Sequence, residues 1–320
     1  MNADTELRGI HVPLITPFDE HGELAADALR ALAHEVLDQG AAGLVALGTT
    51  AEPAALEPGE RAEVVRICAE VCRERGARLT VGVEGGSTRA VVAALAGLGG
   101  PGALPAGTLA MTLVPPFVRP GAAGVLAHFQ ELTATSPVPL IIYHIPYRTG
   151  QELDAAALLE LAELPGVAGV KYAGGRIDTD AVMLLAARPD RFAVLAADDA
   201  LLSPLLALGA AGGIMASAHL ATDRFAELVE LWAAGQAARA RELGHRLAVL
   251  SAACFAAPNP AVVKGVLHAQ GRIPSLAVRL PLLPADAAAV AAATSALDRV
   301  TAPAVRSTAA VGRATAPAVR

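Results

Sequence analysis

The chain has 320 residues, 54% of them hydrophobic and 18% charged, with a formal net charge of −6. That balance excludes a disordered polypeptide, and the acidic surplus with only 3% aromatic residues excludes a nucleic-acid-binding surface. Mean hydropathy is +0.47, but the longest uncharged run, between Arg89 and Arg119, is broken by Gly97, Gly99, Gly100, Pro101, Gly102, Pro105 and Gly107, a density no lipid-spanning helix carries.

The first residues, MNADTELRG, contain no apolar signal segment, so a cytoplasmic protein without membrane partners is expected. Short runs rich in Val, Ile and Leu then recur, and predict strands near residues 9–15, 43–48, 79–83, 108–114, 139–144, 167–172, 192–197 and 211–216. Helix-period segments separate them. In the one after the second strand, Pro58 opens the helix, Glu60 and Glu63 charge its start, and Val64, Val65, Ile67, Cys68, Val71 and Cys72 form an apolar stripe. Eight such units over about 220 residues fit an α/β fold of the (β/α)8 TIM-barrel type, with a doubly wound sheet as the alternative. Gly97, Gly99 and Gly102 match a dinucleotide fingerprint, but they follow a helix and precede a strand, so a plain loop is expected there.

Residues 1–221 thus read as the barrel and 222–300 as a C-terminal helical extension, including a run from Ala234 to Phe255 and a segment after Asn259-Pro260. The tract 301–320 repeats TAPAVR, holds three arginines and no acid, and reads as a disordered tail. Cys68, Cys72 and Cys254 are too few for a disulfide framework and read as core filler. The eight histidines show no ligand spacing, so no metal is expected, and no cofactor either.

Of the 25 basic residues only Lys171 and Lys264 are lysine. Arginine stays protonated at any working pH, whereas a buried amine can lose its proton and attack a carbonyl, so these two positions stand out. The three tyrosines, Tyr143, Tyr147 and Tyr172, bracket Lys171. In a barrel the active site lies at the C-terminal strand ends, and there the sequence places Thr49 and Thr50 (strand two), Tyr143 (five), Lys171 (six) and Asp198-Asp199 (seven). Lys171 follows an apolar run, where desolvation lowers an amine pKa toward a nucleophilic range; a snorkelling or ion-paired lysine is the alternative. Tyr143 on the adjacent strand can move a proton, with Thr49 or Thr50 as relay, or can be a core aromatic. Arg148 can grip a carboxylate or sit on the surface. Asp198-Asp199 can suggest metal binding or a paired acid and base, but no histidine cluster accompanies them, so helix capping is expected.

The motifs PLITPF (13–18), GTTAE (48–52), YHIPYRTG (143–150), GVKYAGG (169–175), GGIMASA (212–218) and NPAVVK (259–264) resemble the class I pyruvate-dependent lyases and aldolases related to dihydrodipicolinate synthase and N-acetylneuraminate lyase. The resemblance spans about residues 8–297. It implies a (β/α)8 barrel with a C-terminal helical domain, usually a homotetramer, here a homotetramer or dimer, acting on a 2-oxo acid and an aldehyde. By the same resemblance Lys171 forms an imine with pyruvate, Tyr143 is the acid–base phenol, and Thr49 and Thr50 hold the keto-acid carboxylate and relay protons. The backbone at Ile214 lines the keto-acid pocket, and Arg148 meets the carboxylate of aspartate semialdehyde.

The sequence departs from that pattern at several points. Phe117 stands where the synthases usually offer a second tyrosine, Tyr172 where an acid is common, His144 in place of asparagine, and Ala51 in place of glycine. The expected function is therefore a Schiff-base lyase of the 4-hydroxy-tetrahydrodipicolinate synthase type. A 2-keto-3-deoxy sugar acid or sialic-acid-like aldolase or dehydratase is the main alternative, and a silent barrel used as ligand sensor or assembly partner is a minor one.

Overall fold

A computed structural model describes residues 7–99 and 104–302. Its strands are β1 (Gly9–Pro13), β2 (Gly43–Ala46), β3 (Arg78–Val83), β4 (Leu109–Leu113), β5 (Leu140–His144), β6 (Val167–Tyr172), β7 (Ala193–Ala196) and β8 (Gly212–Ile214). Its helices are α1 (Ala26–Asp38), α2 (Pro58–Arg75), α3 (Thr88–Ala96), α4 (Gly121–Thr135), the single turn α5 (Pro146–Thr149), α6 (Ala155–Ala162), α7 (Thr179–Ala187), α8 (Leu202–Ala207), α9 (Ala218–Ala233), α10 (Ala237–Cys254), α11 (Ala261–Ala269) and α12 (Ala287–Thr301). All eight strands lie inside their predicted segments or within one residue of them, and each pairs in parallel with its sequence neighbour. β1 closes on β8 through Gly9 and Gly212. The barrel is therefore the correct reading, and the doubly wound sheet is not.

Strands covered on both faces explain the near-continuous apolar runs, and the period of two assigns each residue to an inner or an outer layer. Val45, Met111, Ile141, Tyr143, Leu195 and Ile214 cluster inside the barrel, while Leu44, Ile142, Val170, Tyr172 and Val194 pack outward against the helices. Because Lys171 lies between Val170 and Tyr172, the alternation turns it inward, toward Tyr143. The departures His144 and Tyr172 take the opposite phase: they are register partners, their rings lie 5.6 Å apart, and Tyr172 belongs to the outer layer.

In α2 the Glu60 carboxylate accepts the Glu57 N–H at 2.8 Å, and Val64, Ile67, Cys68, Val71 and Cys72 are buried as expected, with Val65 only half-buried. All three cysteines are free, buried thiols. Gly97–Gly99 form one 3₁₀ turn after α3; Pro101 and Gly102 of the fingerprint lie outside the described residues, as does the tract from 303 onward. No described helix is long and apolar enough to cross a membrane.

The C-terminal helices begin with α9, whose backbone leaves helical geometry at Ala221. α10 packs along α12 and also against the turn Asp199–Leu201 that follows β7. That second contact brings the end of α10 over the mouth of the barrel.

Candidate active site

At the C-terminal end of the barrel lies a cavity of about 280 Å³, lined by Thr49, Thr50, Tyr143, Lys171 and Ile214 from the strand ends, Tyr147 and Arg148 from α5, and Asp198 and Asp199 after β7. All six residues singled out as catalytic or substrate-binding therefore converge. They converge because parallel strands of a barrel all point the same way, so loops distant in sequence share one rim.

Tyr143 and Lys171 are register partners on β5 and β6, and the Lys171 Nζ lies 4.0 Å from the centre of the Tyr143 ring. Both side chains are buried. Burial lowers the Lys171 amine to about 8, with the Asp199 charge opposing the shift. Burial pushes the Tyr143 hydroxyl up to about 12, offset in part by the Arg148 charge and by a hydrogen bond to Thr49. The site thus holds an amine that can be neutral near physiological pH beside a phenol that stays protonated there. That is the pairing a carbonyl-condensing nucleophile and its acid need.

Thr49 and Thr50 lie on a 3₁₀ turn (Thr49–Ala51) directly after β2. The chain reaches this turn through Leu47 in the left-handed region (φ 54°), and Gly82 of β3 makes room for it: a Cβ on Gly82 would sit 2.1 Å from the Leu47 carbonyl oxygen. Thr16 Oγ1 donates to the Ala51 carbonyl at 2.8 Å, and Asn259 Nδ2 donates to Thr50 Oγ1 at 2.9 Å. Asn259 Oδ1 is buried without a partner, as is Ser251 Oγ on α10. Both residues line the cavity together with Phe255.

The helix-capping expectation for Asp198-Asp199 is not met. Asp198 makes no cap bond to the turn it precedes; its Oδ2 accepts the Gly175 N–H at 2.7 Å. Asp199 Oδ2 accepts the Ser217 N–H at 2.6 Å, and burial raises its carboxyl to about 6. Each aspartate ties its loop to a neighbouring one and turns acidic surface toward Lys171, which a linear reading of a strand–helix junction cannot foresee.

The other lysine plays a different part. Lys264 Nζ, with its side chain fully buried, meets Glu52 Oε1 at 2.5 Å and the Ala277 carbonyl at 2.9 Å, and lies 4.1 Å from the centre of the Phe18 ring. Glu52 is in the left-handed region (φ 56°), two residues after Thr50, and its Oε2 accepts the Arg279 N–H at 2.8 Å. The C-terminal region therefore holds the Thr49–Glu52 segment at two points, Thr50 through Asn259 and Glu52 through Lys264 and Arg279. Ser251, Phe255, Asn259 and Glu52 are not among the site residues expected from the sequence. NPAVVK and GTTAE carried a signal for Asn259 and Glu52, while Ser251 and Phe255 carried none. Phe117, on the loop after β4, is 95% exposed in a left-handed conformation (φ 72°) and does not line the cavity. Among the described residues no three His, Cys, Asp or Glu side chains converge as a metal site requires.

The sequence profile of the dihydrodipicolinate synthetase family matches residues 6–299. The 4-hydroxy-tetrahydrodipicolinate synthase of Synechococcus elongatus is 36% identical over 278 residues, covering 86% of this chain and 90% of the relative. Among solved structures, a protein described as the first monomeric dihydrodipicolinate synthase variant superposes with a TM-score of 0.86 at 25% identity, covering 93% of this chain and 98% of its own. The chloride-inhibited dihydrodipicolinate synthase of Acinetobacter baumannii, complexed with pyruvate, superposes with a TM-score of 0.85 at 28% identity, covering 92% and 98%.

Proposed function

The chain belongs to the dihydrodipicolinate synthetase family, and from that premise we propose that it condenses pyruvate with aspartate semialdehyde through an imine on Lys171, as a 4-hydroxy-tetrahydrodipicolinate synthase. The observation that carries this reading is the inward-facing Lys171, its amine near 8 and 4.0 Å from the Tyr143 ring centre. The neutral amine attacks the C2 carbonyl of pyruvate. Tyr143 supplies the proton with which water leaves the carbinolamine, while Thr49 and Thr50 receive the carboxylate. Loss of a methyl proton gives the enamine, which attacks the aldehyde carbon; the amino group of the second substrate then adds to the resulting iminium carbon and displaces the Lys171 amine, which closes the ring.

Arg148 supports the assignment of the second substrate. Among the described residues only its Nε has a hydrogen-bond partner, so both terminal nitrogens can fork onto a carboxylate. A second reading, cleavage of a 2-keto-3-deoxy sugar acid or sialic-acid-like substrate, is favoured by Phe117, which has no hydroxyl and stands clear of the cavity. Parallel assays decide: turnover of pyruvate plus aspartate semialdehyde supports the synthase, whereas turnover of the sugar acid alone replaces it. The reading includes a cytoplasmic homotetramer or dimer. The exposed Phe117 and Val118 offer apolar contact surface for such an assembly, which sedimentation analysis tests.

A further inference from the structure

Tyr147 is not among the residues that the proposed reading assigns to the reaction, yet it lines the same cavity as Lys171 and Arg148. It is 68% exposed, on the turn α5 that continues β5. Its hydroxyl accepts a hydrogen bond from Arg148 Nε at 2.8 Å, and the guanidinium carbon lies 5.3 Å from its ring centre. A phenol oxygen that accepts from a guanidinium keeps its own proton for another acceptor. The loop carrying Phe117 is stitched to the same turn, since the Phe117 N–H donates to the Thr149 carbonyl at 3.0 Å, but it brings no hydroxyl. Tyr143 sits below, 7% exposed and beside Lys171. The cavity thus has two phenols at two depths, one buried with the amine and one at the rim where an incoming second substrate must pass.

Resting on the reading of the site as a pyruvate-imine centre, the geometry points to Tyr147 as the acid for the second half of the reaction, the group that protonates the aldehyde oxygen during carbon–carbon bond formation. In that step the enamine pair forms the new bond from the pyruvate methyl carbon to the aldehyde carbon and regenerates the iminium on Lys171. The carbonyl π pair moves to oxygen, which takes the Tyr147 proton. Arg148 Nε–H stays on the phenol oxygen while its proton is away, and water at the exposed rim returns it. Tyr143 remains with the imine half.

Two reactions of one protein separate these halves. Exchange of the pyruvate methyl hydrogens for deuterium from D2O, followed by NMR without aldehyde, reports imine and enamine formation alone. Condensation of pyruvate with aspartate semialdehyde reports both halves. In Tyr147→Phe, which keeps the ring, methyl exchange is expected at the wild-type rate while condensation kcat falls about 100-fold. Equal loss of exchange and condensation, or condensation at the wild-type rate, overturns the assignment. Absence of exchange in the wild-type protein removes the imine reading itself and this inference with it. Because Tyr147 is exposed, an unchanged melting temperature is expected for the variant and keeps the comparison clean.

Discussion

Asn259 and Thr50 stand 209 residues apart in the chain and share a hydrogen bond of 2.9 Å, with the amide of Asn259 donating to the threonine hydroxyl. Because that oxygen is already an acceptor, the hydroxyl proton is directed away from Asn259. The C-terminal region therefore decides which way a side chain of the barrel rim donates. Asn259→Ala is expected to free the rotor and lower kcat/KM for pyruvate three- to tenfold, the worth of about one hydrogen bond. Asn259→Asp reverses the hydrogen bond, because a carboxylate only accepts, and is expected to cost at least as much. Unchanged pyruvate kinetics in both variants contradict the role.

Lys264 and Glu52 form the second tie between the C-terminal helices and that loop. Lys264→Met leaves the Glu52 carboxylate buried with the Arg279 N–H as its remaining partner, and is expected to cost about 3–5 kcal/mol of stability by denaturant titration. Lys264→Arg keeps the charge but forces a larger group between Phe18, Glu52 and Ala277, at a cost of about 1–3 kcal/mol. If both variants unfold at the wild-type denaturant midpoint, the pair contributes nothing to the fold.

Imine formation should follow the ionisation of Lys171. With its amine lowered to about 8, about one molecule in ten carries the neutral form at pH 7, and the fraction rises with pH to a plateau above 8. The rate of pyruvate methyl exchange is therefore expected to climb about tenfold per pH unit below 8 and then level off. Asp199→Asn removes the opposing negative charge and shifts the midpoint downward. A midpoint near 10 in the wild type contradicts the desolvated site.

Acid should destabilise the protein in a defined window. Burial holds His11, His144 and His219 at about 4, below the ordinary value of 6.5, so the unfolded chain binds their protons first as pH falls. Their contribution is complete above pH 6.5 and is lost progressively toward pH 4. Asp199, raised to about 6, works in the opposite sense between pH 6 and 3.8, as do Asp198 and Glu84, whose carboxyls burial also raises, while His128, lowered by burial, acts with the three histidines. His219 is fixed in one tautomer, accepting the Ile15 N–H at 3.1 Å and donating to the Ala216 carbonyl at 2.8 Å. In His219→Gln the loss of stability between pH 6.5 and 4 is expected to be shallower than in the wild type, and an unchanged slope argues against the mechanism.

Most of the barrel was legible because its strands are covered on both sides and so read as short apolar runs between amphipathic helices. The strand-end position of Lys171 and Tyr143 gave their meeting directly, since adjacent parallel strands in register leave little freedom. Asn259, Ser251 and Phe255 were not legible from the barrel pattern, because they reach the cavity from α10 and the segment after it, and no local periodicity encodes how a C-terminal helix lies across a barrel mouth. Asp198 and Asp199 misled for a related reason. An acid before a helical turn looks like a cap, and only the approach of Gly175 and Ser217 from other loops shows whose N–H groups these carboxylates accept. Lys264 stood out by its rarity, but its role depended on Glu52, which lies 212 residues away.

The most direct test is borohydride reduction of the protein in the presence of pyruvate, followed by intact mass and peptide mapping. A single reduced pyruvate adduct is expected on Lys171, absent from a folded Lys171→Ala variant. A folded wild-type protein that gains no adduct, or gains it on Lys264, rules out imine chemistry on Lys171.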